Sequence, residues 1–531
     1  QTNRQCRSSY SHSLYFLQGD TPLVRTPLVN FQKLIVIITI IFSYKMDIRT
    51  HFNKEVKRDN IIHTYDLENP KCNESRKLAD TQNRDFIRRE CVNTDLAMIE
   101  APAGSGKTTL VLDCIKIHKN KKFLYIVYNR IMKEEFKKKR EKEKITNVDV
   151  RTFDGLCYVH VQEKTKLQIL TNPQTFYMKN IHNILPQLKG YSINDRSKVW
   201  EFIKRYFKSN TYNTFSDIVH DTEPNELNVL GKNPIEFLED IWNTILAQRY
   251  RTFEIIRKEA IIYNLTDYIN NNFDIIACDE VQDCDIFMVD ILLSSITITR
   301  LLIGDSLQSI YGFRKCVNIF NINNYDKYPI LLQAVRRRLY ITFRFGELLS
   351  NHLNEEVPNC NIISSPICKS KIITSYPKSN YIHICKTWKS LLCKATDMTN
   401  IYIYGWSNKK KQLQARHRSL LMNAAVTNNE NEEDDGLSKF LLEMNPNELK
   451  NLIEKIDTNS VSKTKAKISF ATIHATKGLE FENVVIDTDI VEKNTKMIKD
   501  PDYITKHFIF YYTSLTRAKK SVYIMSKYRV Y

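Results

Sequence analysis

The densest chemistry in the chain lies in the run Ala101-Pro102-Ala103-Gly104-Ser105-Gly106-Lys107-Thr108-Thr109, which follows the apolar segment Leu96–Glu100. Closely spaced glycines let backbone N–H groups approach phosphate oxygens, and a helix starting after them adds positive potential. Lys107 would reach the β- and γ-phosphates of a nucleotide, and the Thr108 hydroxyl would ligate Mg²⁺. Ala101 stands where the fuller pattern has Gly. A second apolar segment, Asp274–Cys278, ends in Asp279-Glu280-Val281-Gln282-Asp283. A strand-end aspartate can hold Mg²⁺ through water, and the adjacent glutamate can polarise an attacking water. A third segment ends in Gly304-Asp305-Ser306-Leu307-Gln308-Ser309-Ile310-Tyr311-Gly312-Phe313-Arg314. Gln308 suits sensing of a γ-phosphate. Tyr311 and Phe313, beside an arginine, suit stacking on unpaired bases.

Such groups need strand ends to hold them. Short apolar runs alternate with amphipathic helical stretches from Ala97 onward. Strands are expected at Leu96–Glu100, Phe123–Tyr128, Asp274–Cys278, Arg300–Ile303, Tyr381–Cys385, Asn400–Tyr404, Ile468–Ile473, Val484–Asp487 and Ser521–Met525. Strands alternating with helices imply an α/β fold with parallel sheets and ligands at the carboxyl ends of the strands. Residues 156–249 carry long helical patterns and no phosphate-binding signature, so they read as a helical insertion. Residues 426–437 are acidic and polar, a loop or mobile tip.

Composition narrows the partners. The 531 residues are 42% hydrophobic and 26% charged, with 12 Gly and 14 Pro, which excludes wholesale disorder and a collagen-like chain. Lys+Arg 78 against Asp+Glu 60 gives +18, a balance that favours a polyanion, nucleic acid ahead of membrane. The apolar run Leu34–Phe42 falls short of the ~20 residues a membrane helix needs. The 12 cysteines are scattered without a CxxC, which points to a reducing compartment and no structural metal. Residue 1 is Gln and the first Met is Met46. Residues 1–45 are expected to be a leader, disordered or not native to the working protein.

The ordered set of motifs resembles the UvrD/Rep-like branch of superfamily 1 helicases over about residues 80–531. Within it the motor is most similar to the F-box DNA helicase group, on Phe123-Leu124-Tyr125-Ile126-Val127-Tyr128-Asn129 and Thr342-Phe343-Arg344-Phe345-Gly346. No F-box is evident, so no F-box partner is expected. The resemblance implies two RecA-like domains closing on Mg·ATP. It assigns nucleotide contacts to Ala103, Gly104, Ser105, Gly106, Lys107, Thr108 and Thr109, adenine reading to Gln82, adenine stacking to Phe343 and ribose contact to Glu480. Arg344 and Arg517 match the two arginines that reach the γ-phosphate from the second domain. Lys107, Glu280, Gln308, Arg344 and Arg517 thus form the expected catalytic set, with Thr108 and Asp279 on the metal. Asn129, Thr152, Phe153, Tyr311, Phe313, His474 and Lys477 would line the DNA. Two positions depart from the family pattern. Val127 replaces a base-stacking Phe, with Tyr128 adjacent, and Asp154 stands where His is common.

The expected layout is a first RecA-like domain at 46–155 and 250–325 around the insertion 156–249. A second follows at 326–405 and 463–531, around a small insertion with an acidic loop at 406–462. The expected activity is ATP-driven movement along single-stranded DNA, 3′→5′ as the resemblance implies, with unwinding of duplex. The alternatives are an RNA helicase, a translocase that strips proteins or remodels recombination intermediates, and a non-hydrolysing nucleic-acid scaffold. Expected partners are single-stranded DNA, duplex junctions and replication or recombination proteins, with no membrane. The expected place is the nucleus or a site of DNA replication. The basic stretch Lys133–Lys144 reads as a solvated helix face.

Overall fold

The computed structural model describes residues 72–525 apart from 166–167, 170–184, 209–213, 248–249, 313–315, 422–439, 442–443, 494–496 and 498–499. Residues 1–45, Phe313 and the acidic run 426–437 lie outside the described residues.

Two six-stranded parallel sheets organise residues 72–525. The first contains β1 (Leu96–Glu100), β2 (Phe123–Val127), β3 (Val148–Thr152), β4 (Ile275–Cys278), β5 (Thr299–Gly304) and β6 (Val335–Arg338), in the order β3-β2-β4-β5-β1-β6. The second contains β7 (Lys371–Ile373), β8 (Tyr381–Cys385), β9 (Ile401–Ile403), β10 (Ile468–Thr472), β11 (Phe481–Ile486) and β12 (Ala518–Ile524), in the order β7-β12-β11-β8-β10-β9. Both are parallel sheets of the α/β class expected from the alternating pattern.

Strands covered on both faces must be apolar throughout, and successive side chains must point to opposite faces. The first sheet shows this. Leu96, Met98, Leu124, Ile126, Ile276 and Leu302 enter one core. Ala97, Ile99, Phe123, Tyr125, Ile275 and Leu301 enter the other. Each large side chain so buried contributes roughly 1.5–3 kcal/mol. In the second sheet Ile382, Ile384, Val484, Ile486 and Val522 face one core, and Ile401, Ile403 and Phe470 face another.

The structure corrects the domain layout in two places. Val335–Arg338 pairs with β1, so the chain stays with the first sheet beyond residue 325. Its sequence VRRR hid it as a strand. The guanidinium groups of Arg336 and Arg337 lie over the rings of Tyr325 and Phe86, at 4.5 and 4.7 Å, where the ring faces attract the charge. The helix Phe153–Gln162 belongs to the first sheet's core through Phe153, Leu156, Cys157 and Val161. The separate helical cluster begins beyond it, around Val199, Phe202, Leu238, Ile241 and Trp242. In the second domain, helices Trp406–Leu421 and Pro446–Asn459 place Leu413, Leu449 and Ile453 in one core with Phe470 of β10. Among the described residues no helix is long and apolar enough to cross a membrane.

Candidate active site

The first-sheet motifs leave the carboxyl ends of neighbouring strands. Register pairs Glu100 with Gly304 and Cys278 with Leu302, so the phosphate loop, Asp279-Glu280 and Asp305 emerge along one edge. The helix Lys107–Ile117 starts from Gly106, in a left-handed conformation at φ 83°, and has no side-chain cap. Its first N–H groups therefore face the loop without a protein acceptor from the capping residue, which is what an anion site needs. The Ser105 hydroxyl is buried without a hydrogen-bond partner. Lys107 Nζ donates to Ala101 O at 3.3 Å and lies 4.0 Å from Glu280 Oε1. Thr108 Oγ1 donates to Asp279 Oδ2 at 3.1 Å, and Tyr125 donates to the same oxygen at 2.8 Å. Thr109 is exposed.

Asp279 is buried, and burial with Glu280 alongside pushes its carboxyl above the ordinary range. Burial acts in the same sense on Glu280, but Lys107 and Lys477 overcome it and hold Glu280 at about 2. Glu280 therefore stays ionised. Its backbone is left-handed, φ 56°, a conformation that costs a side-chain-bearing residue about 1–2 kcal/mol. Asp279 Oδ1 accepts its N–H at 2.9 Å, and Gln282 Nε2 donates to its Oε2 at 2.5 Å.

The second domain closes directly on the loop. Thr342 Oγ1 donates to Ala103 O at 2.7 Å, and Phe343 N–H donates to Gly104 O at 2.8 Å. Gly104 has φ +74°, and a Cβ there would lie 2.7 Å from Thr342 Oγ1 and against Arg344 Cβ. Glycine is required both for the turn and for the approach. Arg344 donates through Nε to Glu480 Oε1 at 2.8 Å and through a second nitrogen to Thr516 O at 3.1 Å. Glu480 also pairs with Lys519 at 2.8 Å. Burial opposes ionisation of Glu480, and Arg344 and Lys519 more than offset it, lowering its pKa. Arg517 is buried and donates to Gln308 Oε1 at 2.5 Å. Burial and the neighbouring Arg344 bring its pKa down to about 10. Phe343 is 48% exposed, with the Arg84 guanidinium 5.0 Å from its ring centroid.

Gln82 is exposed on the helix Asn73–Asp85. Two residues on, Arg84 donates to Ser105 O at 2.8 Å and pairs with Asp80. Asp80 in turn accepts the N–H groups of Tyr340 and Ile341 at 2.7 and 2.9 Å. Sequence reasoning missed Arg84, although it lies close to Gln82 and carries the charge suited to this edge.

The expected DNA track divides. Tyr311 is buried and stacks on half-buried Tyr128, the aromatic beside Val127, at 5.4 Å and 16°. His474 lies 5.6 Å from Tyr311 and its Nε2 is 3.2 Å from Ile310 O. Asn129 and Thr152 spend side-chain oxygens capping helices, accepting from Met132 N–H and Gly155 N–H. Phe153 is core, 5.5 Å from Phe287, because the first residue of its helix points into the sheet's packing. Lys477 is buried among carboxylates instead of facing a strand. It pairs with Asp283, lies 4.0 Å from Glu280 Oε2 and donates to Gln308 O at 2.7 Å. Asp154 pairs with Arg257 at 2.6 Å, which also holds Asp285 at 2.6 Å.

Residues 82–329 match the UvrD-helicase family model, the UvrD/REP helicase N-terminal domain. The F-box DNA helicase 1 of Gallus gallus is 23% identical over 510 residues, covering 84% of this chain and 48% of the relative. The F-box DNA helicase protein 1 of Schizosaccharomyces pombe is 23% identical over 496 residues, covering 80% and 55%. The chain spans about half the length of these curated relatives. A solved structure, the Arterivirus nonstructural protein 10 (helicase) with DNA, is 11% identical and covers 84% of this chain and 64% of its own, at a TM-score of 0.31.

Proposed function

We propose that this chain, whose residues 82–329 match the UvrD/REP helicase N-terminal domain, is an ATP-dependent DNA helicase that moves 3′→5′ along single-stranded DNA and opens duplex at junctions. The observation that carries this reading is the meeting of Arg344 and Arg517 with the phosphate loop and Gln308 across two sheets. Charge donated from a second domain only on closure is how a motor couples hydrolysis to movement.

The chain's donors fit a nucleotide. The orphaned Ser105 hydroxyl and the uncapped helix start suit phosphate oxygens. The paired Thr108 hydroxyl and Asp279 carboxylate suit a hard divalent cation. Mg²⁺ held there would supply positive charge beside the phosphates. Lys107 binds the phosphates. Glu280, ionised throughout the physiological range, accepts a hydrogen bond from the attacking water and orients it. Arg344 and Arg517 offset the charge that develops on the transferring group. Phe343 and Arg84 border the place for the base. Tyr128, His474 and the basic balance of the chain supply the side facing DNA. Its partners would be single-stranded DNA, junctions and replication or recombination proteins, in the nucleus or at another site of DNA replication.

A second reading, a translocase that strips proteins from DNA, draws on the helices Trp406–Leu421 and Pro446–Asn459. Among the described residues they serve the second sheet's core. The test of the main reading is the ATPase rate with and without single-stranded DNA. Strong stimulation by DNA, reduced about 10²–10³-fold in Glu280→Gln, is the expected result. Hydrolysis that ignores DNA, or survives Glu280→Gln, overturns it. Strand separation beside displacement of a bound protein distinguishes the two readings.

A further inference from the structure

Tyr512 has no role in the account above. It lies in the helix Pro501–Leu515 of the second domain, is fully buried, and packs in the cluster of Ala103, Ile310, Phe345 and Leu349. A phenylalanine would fill that space equally well, so the hydroxyl calls for its own explanation. It has two partners, both in the first domain. It accepts the N–H of Ala103 in the phosphate loop at 3.1 Å. It donates to Asp305 Oδ2 at 2.9 Å.

The chain of bonds continues. The same Asp305 oxygen accepts from Gln308 Nε2 at 2.6 Å, and Gln308 Oε1 accepts from Arg517 at 2.5 Å. The path therefore leaves the loop backbone, crosses into the second domain at Tyr512, returns through Asp305 and Gln308, and ends on Arg517. Tyr512 and Arg517 flank the carboxyl end of the same helix, and Arg517 Nε is tied to Thr513 O at 2.9 Å. Fixing the tyrosine hydroxyl against the loop therefore fixes the height from which the arginine reaches. Asp305 is also tied to the catalytic carboxylate. Gln282 Oε1 accepts the Asp305 N–H at 3.0 Å while its Nε2 holds Glu280. Both Tyr512 bonds are buried, so separating the domains breaks them together and leaves polar groups that must be resolvated.

We propose that Tyr512 is a positioning residue that registers the second domain against the phosphate loop and so places Gln308 and Arg517 for hydrolysis. The inference rests on reading the cleft as the site of ATP hydrolysis.

Tyr512→Phe in the full chain keeps the ring and removes the hydroxyl. DNA-stimulated kcat should fall about tenfold, with KM for ATP within about twofold, because positioning is lost and nucleotide binding is not. In an Arg517→Lys background the same change should add little, since both act through one arrangement. An unchanged kcat, or the same fold loss in both backgrounds, overturns the proposal. Hydrogen exchange gives a readout without turnover. Tyr512→Phe should speed exchange in the peptide spanning Ala103 and leave the peptide spanning β2 unaltered. Unchanged exchange at Ala103 overturns the proposal. A wild-type chain that hydrolyses no ATP would defeat the hydrolytic reading, and the exchange result would still decide Tyr512. Should Tyr512→Phe fail to fold, Asp305→Ala removes the acceptor of the Tyr512 hydroxyl and leaves its bond to the Ala103 N–H in place; kcat should fall about tenfold with KM for ATP within about twofold, and an unchanged kcat overturns the proposal.

Discussion

The two sheets end in two versions of one turn, and only one is open to phosphate. After β1 the chain makes the loop Ala101–Gly106, and its helix begins with no side-chain cap and with the Ser105 hydroxyl unpartnered. After β8 it makes only Lys386 and Thr387 before the helix Trp388–Ala395. There the Asp489 carboxylate accepts the N–H of Lys386 at 2.8 Å and of Thr387 at 3.0 Å, while Thr387 caps Ser390 N–H at 3.1 Å. The protein's own anion sits where a ligand's would. The difference shows how similar architecture is turned into two roles. One sheet offers an empty cradle and the other a filled one, leaving the second domain to contribute Arg344 and Arg517 from a different edge.

The sharpest way to break this contrast is at Gly104. Gly104→Ala forces a Cβ against Thr342 and Arg344 and strains a positive φ. Hydrolysis should fall about 10²-fold, since small misplacements of a catalytic cleft cost that much. An ATPase rate within twofold of wild type would show that the two domains need not close so tightly. A smaller effect is expected at the filled cradle. Asp489→Ala leaves two N–H groups without their acceptor and should lower stability by about 1–3 kcal/mol. Millimolar phosphate should recover part of that in a thermal melt, and KM for ATP should not move. No loss of stability, or no response to phosphate, would mean that the turn after β8 is not a phosphate-loop equivalent.

Much of this was legible in the sequence because strands buried on both faces must be apolar and because the motifs follow directly at their ends. The runs at 96–100, 123–127, 275–278 and 381–385 announce themselves in this way. What escaped did so for physical reasons. Val335–Arg338 buries no apolar row, and its arginines gain cover from the rings of Tyr325 and the sequence-distant Phe86. Val148–Thr152 alternates buried and half-buried positions at a sheet edge, too short a signal to rise above its surroundings. Phe153 and Lys477 have the side chains a DNA contact wants, yet packing against Phe287 and pairing with Asp283 use them otherwise. Asp489 and Tyr512 carry no spacing signature, because their partners at 386–387 and at 103 and 305 come together only in the fold.

The central claim is that the open cradle binds ATP while the second domain's arginines act on its hydrolysis. Nucleotide affinity and DNA-stimulated hydrolysis should therefore be measured side by side for Lys107→Ala and Arg344→Ala. The account predicts that Lys107→Ala loses both, whereas Arg344→Ala keeps affinity within about threefold and loses about 10³-fold in rate, the scale of an arginine that serves the transition state. An Arg344→Ala chain that hydrolyses ATP normally, or loses affinity in step with rate, would contradict it.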